Sequence, residues 1–470
     1  MTAILERDPE TLPPARRSWP LAAVLAAVGI PMFMVTLDNL VVTTALPVIK
    51  SELGASLTDL QWFVNAYTLS FAALLLTFAS LGDRIGRRRM FIAGITVFTA
   101  ASAACALAVE PWQLTLARAV QGAAGAAVMP ISLTLLAAAV PARLRNAAVG
   151  IWGGISGLGV AVGPVVGGAV VDGLDWHWIF WLNVPVGLIA IPLAAVVLSE
   201  SRGGASRLDP LGLVLSSAGV LGVVWGVVHG ADDGWTSAGV LAALVGGAVL
   251  LAAFVLWERR NAAPMLPLGL FRNRGFGTVS VVTFLFSLGV FGSVFLLSQF
   301  FQVVQGLTPL QSGVRTMPWT MAPMVVAPIA GLLVNRIGAR TLIVTGQSLL
   351  AVALFWIAMV SSADVRYGAL VAPFAMAGVG MGLSFAPMTT IVLGSVGQRL
   401  TGVASGTSNT IREVGVAMGV AVLASVFSSF GDYRSGASYV DGLVPAVTVG
   451  AIVVAVGALL ALRLPRRVAA

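Results

Sequence analysis

Two charged side chains lie in stretches that are otherwise apolar, and they are the first candidates for chemistry. Asp38 lies within FMVTLDNLVVTTALPVI (residues 33–49), and Arg118 lies within LTLARAVQGAAGAA (residues 114–127), with Gln121 on the same helix face. A charged side chain in hydrocarbon costs at least a few kcal/mol, so a membrane-spanning segment keeps one mainly for function. Arg118 lies about six residues and Asp38 about ten residues from the same end of the predicted bundle, a depth difference of about 6 Å at 1.5 Å per residue, so we expect Arg118 to lie near Asp38 beside one cavity that Gln121 also lines. Both charged residues are candidates for proton or substrate coupling. Arg118 could instead extend to the lipid headgroups, and Asp38 could be a structural carboxylate that never titrates.

A second polar group lies within SNTIREVGVAMG, near the C-terminal end of the chain. Glu413 is the second candidate for proton or substrate coupling, with Asn409 and Arg412 as candidate cavity residues beside it. The neighbouring charges of Arg412 and Glu413 are equally consistent with a purely structural ion pair. Asn65 and Tyr67 could line the same cavity, or they could simply form hydrogen bonds between helices.

Glycines are regularly spaced in GLGVAVGPVVGG (residues 157–168). Gly159, Gly163 and Gly167 follow one another at intervals of four, so one face of a helix here carries no side chains. Pro164 removes a backbone donor and favours a bend in that helix. The pattern is consistent with an interface between moving parts, and equally with close packing that does not move.

An acid stands among arginines in the short segment SLGDRIGRRR (residues 80–89). Glycines allow a tight turn here, and Asp83 can cap a helix or pair with a nearby arginine, including Arg143 or Arg145. We interpret the segment as a contact that forms and breaks between conformations. The candidate gating residues are Asp83, Arg84, Gly86, Arg87 and Arg143.

Composition indicates an integral membrane protein. The chain has 470 residues, of which 58% are hydrophobic and only 10% are charged, whereas a soluble domain carries about 25% charged residues. Cys105 is the single cysteine, which excludes an intramolecular disulfide or a cysteine-built metal site, and two histidines argue against a histidine-built one. We expect no metal, no cofactor and no enzymatic activity.

The apolar stretches are long enough for fourteen membrane-spanning helices, since each span needs about 20 residues. The fold class is therefore an all-α polytopic membrane protein. The predicted spans are 20–48, 58–80, 90–109, 112–139, 146–171, 178–199, 209–230, 236–257, 275–303, 311–334, 341–361, 367–396, 402–430 and 439–462.

Arginines outside the spans collect in the N-terminal tail, the even-numbered loops and the C-terminal tail, while the odd-numbered loops carry mainly acids. By the positive-inside rule, both termini are cytoplasmic in this multi-pass cell-membrane protein. The net charge of +8 thus reflects topology, and nucleic-acid binding is not expected. A single lysine among 27 basic residues favours a GC-rich, bacterial genome. The polar start of the chain reads as a cytoplasmic tail and not as a signal peptide.

A weak internal repeat suggests two similar halves. LLVNRIGART (residues 332–341) echoes SLGDRIGRRR, and each motif follows the second span of its half. Duplicated six-span halves are the plan of secondary transporters, which handle substrate between the halves. The predicted organisation is a tail (1–19), a six-helix bundle (20–199), a central insertion with two extra spans (200–274), a second six-helix bundle (275–462) and a C-terminal tail (463–470).

Together these motifs resemble the major facilitator superfamily, and specifically its fourteen-span drug:proton antiporter branch. The resemblance rests on LDNLVVTTALPVI, SLGDRIGRRR, LARAVQGAAGAA and GVAVGPVVGG, taken in order, and on WHWIFWLNVPVG, LPLGLFRNRGF and SNTIREVGVAMG. Ala79 stands where that branch usually has glycine, His177 where it usually has arginine, and Asn335 where the second half usually has aspartate.

The resemblance implies roles for individual residues. It implies two six-helix bundles that work by alternating access, with Asp38 as the membrane acid and Arg118 as the arginine linked to proton transfer. Asp83, Gly86 and Arg87 match the gating loop. The residues that match or extend the antiporter hinge are Gly159, Gly163, Pro164, Gly167 and Gly168.

The expected function is proton-coupled export of lipophilic, often cationic drugs, dyes or secondary metabolites. The expected partners are a small lipophilic substrate, protons and the lipid bilayer, with the protein acting as a monomer. An exporter dedicated to one natural product or lipid-like precursor is the alternative. A membrane-embedded enzyme would need a convergent catalytic set, which the sequence lacks, and a sensor would normally carry a soluble output domain.

Overall fold

A computed structural model describes residues 19–55, 57–203, 209–261, 264, 266–397 and 400–465. Those residues form helices and connecting turns, with no β-strand among them. In chain order the helices are α1 (Leu21–Leu53), α2 (Leu57–Ile85), α3 (Arg87–Ala106), α4 (Pro111–Ala139), α5 (Ala142–Gly173), α6 (Trp178–Trp181), α7 (Asn183–Val197), α8 (Pro210–Asp233), α9 (Ala238–Arg260), α10 (Gly269–Arg272), α11 (Arg274–Val303), α12 (Pro309–Ile337), α13 (Ala339–Val360), α14 (Tyr367–Gly394), α15 (Thr401–Phe430) and α16 (Gly436–Ala461).

The helices confirm the all-α membrane fold. Within the described residues, thirteen segments are long and apolar enough to cross a membrane, the short α6 and α7 together forming one of them. The remaining long helix is α5, with 32 residues, which corresponds to the fifth predicted span. Several helices continue past the predicted ends of the apolar stretches; α1, for example, runs to Leu53. The last turn of α1 accordingly carries Lys50, Ser51 and Glu52, which follow the predicted span end at residue 48.

The two echoed motifs share a backbone conformation. Gly86 joins α2 to α3 with φ 125°, and Gly338 joins α12 to α13 with φ 85°. A side chain would strain the backbone at either position, so glycine permits the turn in both places. This agreement adds a structural parallel to the sequence echo.

Apolar packing forms two large clusters. One is built mainly from α1 to α5 and α7, and the other mainly from α11 to α16. Helix α5 packs along α12, and α2 packs along α15, so these two pairs join the first set of helices to the last. Helices α8 and α9 pack on each other, and α8 also contacts α2 and α15. The exact limits of two bundles and an insertion stay predictions.

Candidate functional site

The buried acid and the buried cation meet. Arg118 Nη1 lies 2.6 Å from Asp38 Oδ2, and the two side chains are 0% and 1% exposed. Counting residues from the span ends predicts this contact, because both side chains lie at a similar depth from the same end of the bundle. The contact is confirmed, whereas the coupling role of the pair stays a prediction.

The other oxygen of Asp38 is also occupied. Asp38 Oδ1 accepts hydrogen bonds from Gln121 Nε2 at 2.9 Å and from Asn183 Nδ2 at 2.6 Å. Ser102 Oγ lies behind these amides and accepts from Gln121 at 2.7 Å and from Asn183 at 3.3 Å. The carboxylate is thus held by three donors, from Arg118 and Gln121 on α4 and Asn183 on α7.

Arg118 has no other anionic partner among the described residues. Its Nη1 also donates to Gln121 Oε1 at 2.6 Å, and its Nε donates to the Phe63 carbonyl at 3.1 Å. The guanidinium carbon lies 4.3 Å from the centre of the Tyr67 ring, and Nη2 has no hydrogen-bond partner in the described part of the chain. The charge of Arg118 is therefore balanced by Asp38 alone, which makes the pair sensitive to protonation.

Glycine brings α2 and α4 close enough to assemble this network. A Cβ atom at Gly122 would collide with the Tyr67 carbonyl and the Ser70 hydroxyl, so the residue after Gln121 must be small. Tyr67 itself donates from its hydroxyl to the Val35 carbonyl of α1 at 3.2 Å. The aromatic ring is thereby fixed between α1 and the guanidinium.

Two members of the network were not among the predicted residues. Asn183 and Ser102 are 2% and 0% exposed, and neither stood out as a charged residue would. Asn183 is the only amide side chain in the apolar WLNVPVG stretch, and this isolated polar residue was the one feature of the sequence that could have marked it as a site residue. Ser102 lies in an alanine-rich helix, where nothing in the local sequence distinguishes it.

A second polar site lies between the first and last sets of helices. Arg412 Nη2 is 2.8 Å from Glu413 Oε1 and 3.1 Å from the sulfur of Met129, and Asn409 donates to the Ser405 carbonyl at 2.9 Å. Glu413 is therefore paired with its own neighbour on α15. Both the structural and the coupling interpretations of this pair remain compatible with these contacts.

A small cavity opens beside this pair. It has a volume of about 30 Å³ and is lined by Trp152, Phe385, Met388, Asn409 and Arg412, together with residues of α4 and α11. Such a volume holds about two water molecules. Of the predicted cavity residues, Asn409 and Arg412 line it.

The other three predicted cavity residues lie elsewhere. Tyr67 and Gln121 belong to the Asp38 network, and Asn65 is half-buried on α2 outside that network. The residues that line this cavity include none of these three side chains.

The arginine-rich turn forms a second buried ion pair. Arg87 Nε lies 2.6 Å from Asp83 Oδ1, with side chains 4% and 1% exposed. The Asp83 carboxylate lies against Gly402 at the start of α15 and faces the Val403 amide. Asp83 therefore contacts a helix of the second set.

The remaining gating candidates take different positions. Arg143 is exposed and takes part in no ion pair with the described residues, so it does not partner Asp83; Arg84 is half-buried. Glu200 accepts from the amides of Arg88 at 3.0 Å and Arg89 at 3.2 Å, at the start of α3. Gly86 lies directly against the Glu200 carboxylate.

The glycine-spaced helix packs against helices on two sides. A Cβ at Gly159 would touch Thr36 of α1, and one at Gly168 would touch Leu310 of α12. Gly163 and Gly167 are buried as well. Helix α5 continues through residue 164, and the Pro164 side chain lies outside the described part. Movement at this helix stays a prediction.

Comparisons with known proteins agree with one another. The Major Facilitator Superfamily model matches residues 28–420. The multidrug efflux pump LfrA of Mycolicibacterium smegmatis is 36% identical over 454 residues, which cover 95% of this chain and 88% of that protein. The tetracenomycin C resistance and export protein of Streptomyces glaucescens is 34% identical over 415 residues, covering 88% of this chain and 76% of that protein.

A solved structure supports the same fold. The structure of the human organic anion transporter MFSD10 (TETRAN) is similar, with a TM-score of 0.65 over 96% of this chain and 100% of that chain. The sequence identity is 15%, so this similarity bears on the fold alone.

Proposed function

Since this chain belongs to the Major Facilitator Superfamily, a family of transporters, we propose that it is a proton-coupled antiporter. It exports lipophilic compounds, many of them cationic, across the cytoplasmic membrane of a bacterium by alternating access. Both termini lie in the cytoplasm, and the protein acts as a monomer. Relatives named as a multidrug efflux pump and as an antibiotic export protein support the substrate class.

The observation that carries this proposal is the isolated Asp38–Arg118 pair. When Asp38 is protonated, Arg118 loses the charge that balances it and becomes an uncompensated buried cation. Leaving one partner of a buried pair alone costs about 3–5 kcal/mol, so the network must rearrange or release the proton. Proton binding at Asp38 thereby changes contacts among α1, α4 and α7.

Substrate binds between the two sets of helices, beside Arg412 and Asn409. The present cavity of about 30 Å³ is far below the roughly 300–1,000 Å³ of pockets that hold drug-sized molecules. The helices that line it must therefore separate to admit substrate. Contacts of α2 with α15 and of α5 with α12 are the ones that such a movement breaks and remakes.

Transport by reconstituted protein tests this proposal. In liposomes with an imposed pH gradient, wild-type protein should drive movement of a fluorescent cationic dye. Asp38→Asn should reduce that movement to the level of empty liposomes, because the side chain can no longer exchange a proton. Dye binding in detergent should persist, because Asp38 does not line the cavity.

Asp364→Asn is the matched control, since Asp364 is exposed in the α13–α14 connection. It should transport like the wild type. Gradient-driven dye movement by Asp38→Asn at the wild-type rate contradicts the proposed coupling.

A dedicated exporter of one natural product is the second candidate. It is favoured by the relative whose name refers to a single antibiotic, tetracenomycin C. A panel of unrelated dyes and antibiotics in the same liposome assay separates the two functions. Transport of one chemical class only supports the dedicated exporter.

A further inference from the structure

An unassigned group of potential metal ligands lies at the end of the helical bundle opposite the start of α1. Glu52 lies in the last turn of α1, and Asp175 and His177 lie in the connection between α5 and α6. Each offers one ligand atom, and the three atoms lie within 4.8 Å of one another. Glu52 precedes the other two residues by more than 120 positions in the chain, so only the fold brings the three together.

We propose that Glu52, Asp175 and His177 bind a divalent transition-metal ion such as Zn²⁺. One imidazole nitrogen with two carboxylate oxygens is a ligand set that suits Zn²⁺, with water completing the coordination. The proposal departs from the expectation of no metal site, which rested on the small number of histidines and cysteines, and it is independent of the transport mechanism.

Trp176 holds the ligands in place. Its side chain is fully buried, and its Nε1 donates to Glu52 Oε2 at 2.9 Å. Its ring also stacks on His177, with 3.8 Å between the ring centres. Glu52 and His177 are thus both oriented by one rigid side chain, which lowers the entropy cost of assembling the site.

The charge of the site favours a cation. Glu52 and Asp175 form no ion pair with any lysine or arginine among the residues that the structure describes. The Asp175 carboxylate contacts the His177 imidazole, so these two ligands already lie side by side. His177 adds a nitrogen ligand to the two carboxylates.

The distances require only a small adjustment. Ligand atoms around tetrahedral Zn²⁺ lie about 3.3 Å apart, given bonds of about 2.0–2.1 Å. The Asp175 side chain is 52% exposed, so it can rotate to adjust its distance from the other two ligands.

A bound ion would link two helices of the Asp38 network. Glu52 lies fourteen residues beyond Asp38 on α1, about 21 Å along the helix at 1.5 Å per residue. His177 precedes α6 and α7, and Asn183 at the start of α7 bonds Asp38. The ion would therefore connect the helices that supply the carboxylate and one of its donors.

Zinc binding by purified, tag-free full-length protein tests the proposal. Equilibrium dialysis should give one Zn²⁺ per chain, and Zn²⁺ should raise the thermal unfolding temperature, because it binds the folded state. His177→Gln should remove this binding, and Glu52→Gln should weaken it by at least the roughly 10- to 100-fold that the loss of an outer-shell partner costs.

His229→Gln is the control, because His229 is the other histidine and lies on α8. It should bind Zn²⁺ like the wild type. Excess Mg²⁺ or Ca²⁺ should not displace the zinc, since these ions prefer all-oxygen sites. Equal binding by wild type and His177→Gln, equal loss in His229→Gln, or displacement by Ca²⁺ would each overturn the proposal.

Discussion

Asp38→Asn should destabilise the folded protein, and adding Arg118→Met should restore much of the lost stability. Arg118 is fully buried, and Asp38 is the single carboxylate bonded to it among the described residues. Asparagine removes the balancing charge, which costs about 3–5 kcal/mol when the remaining charge stays buried. It also brings an NH₂ group into a space where three donors point at the carboxylate.

The double variant tests whether the uncompensated charge causes the loss. Methionine at position 118 fills similar space without a charge, so replacing both partners should cost less than replacing Asp38 alone. Asp38→Asn, the double variant and the control Asp364→Asn are compared with the wild type by thermal unfolding in detergent, which is followed through tryptophan fluorescence. Asp364→Asn, at an exposed position, should change stability by less than about 0.5 kcal/mol.

Two results would refute this reasoning. The first is Asp38→Asn protein that unfolds at the wild-type temperature. The second is a double variant that is less stable than Asp38→Asn, because that outcome would mean that Arg118 stabilises the fold without its carboxylate.

Three further predictions use the same stability assay. Gly122→Ala should lower the free energy of unfolding by about 1–3 kcal/mol, because the added Cβ meets the Tyr67 carbonyl. Gly246 has open space around it, so Gly246→Ala should raise the free energy of unfolding by about 0.5–1 kcal/mol. Asp83→Ala should lower the free energy of unfolding by about 3–5 kcal/mol, because it leaves the buried Arg87 unpaired. Arg143→Ala, at an exposed position, should change that free energy little. Equal effects of the two substitutions would contradict the pairing of Asp83 with Arg87. The Arg434 amide and Ser438 lower the pKa of Asp432. The ionised carboxylate therefore stabilises the fold at pH values above the ordinary carboxyl pKa, and this stabilisation is lost as the pH falls through the lowered pKa. Asp432→Asn should therefore lose less stability on acidification than wild type, and an unchanged pH dependence would contradict this.

Position along a span predicts contacts well when two charged residues lie at the same depth. Asp38 and Arg118 could be matched in this way because helices in a membrane run nearly parallel, so residue counting measures depth. The same reasoning could not find Asn183 or Ser102, because depth does not say which faces of α3 and α7 turn toward α1. That rotation depends on packing across the whole bundle.

Local sequence limited the candidate ion-pair partners without selecting one. Asp83 pairs with Arg87 across a tight glycine turn, although Arg143 in another loop was as plausible from charge alone. Glu52 meets His177 because α1 ends beside the α5–α6 connection, which no spacing in the sequence reveals. Motifs indicate which residues matter, whereas partners follow from the tertiary structure.

The geometry of Asp38 restricts how it can exchange protons. Its side chain is 1% exposed, and both oxygens accept hydrogen bonds from Arg118, Gln121 or Asn183. A proton from water can reach it only if one of those donors moves away. Arg118 and Gln121 share α4, bond each other and are also held by Phe63 and Ser102, whereas Asn183 at the start of α7 makes one further side-chain bond in the described part of the chain, to Ser102 at 3.3 Å. Separation of the start of α7 from α1 therefore exposes Asp38 with the fewest broken bonds, and it leaves the Arg118 pair intact until the proton arrives.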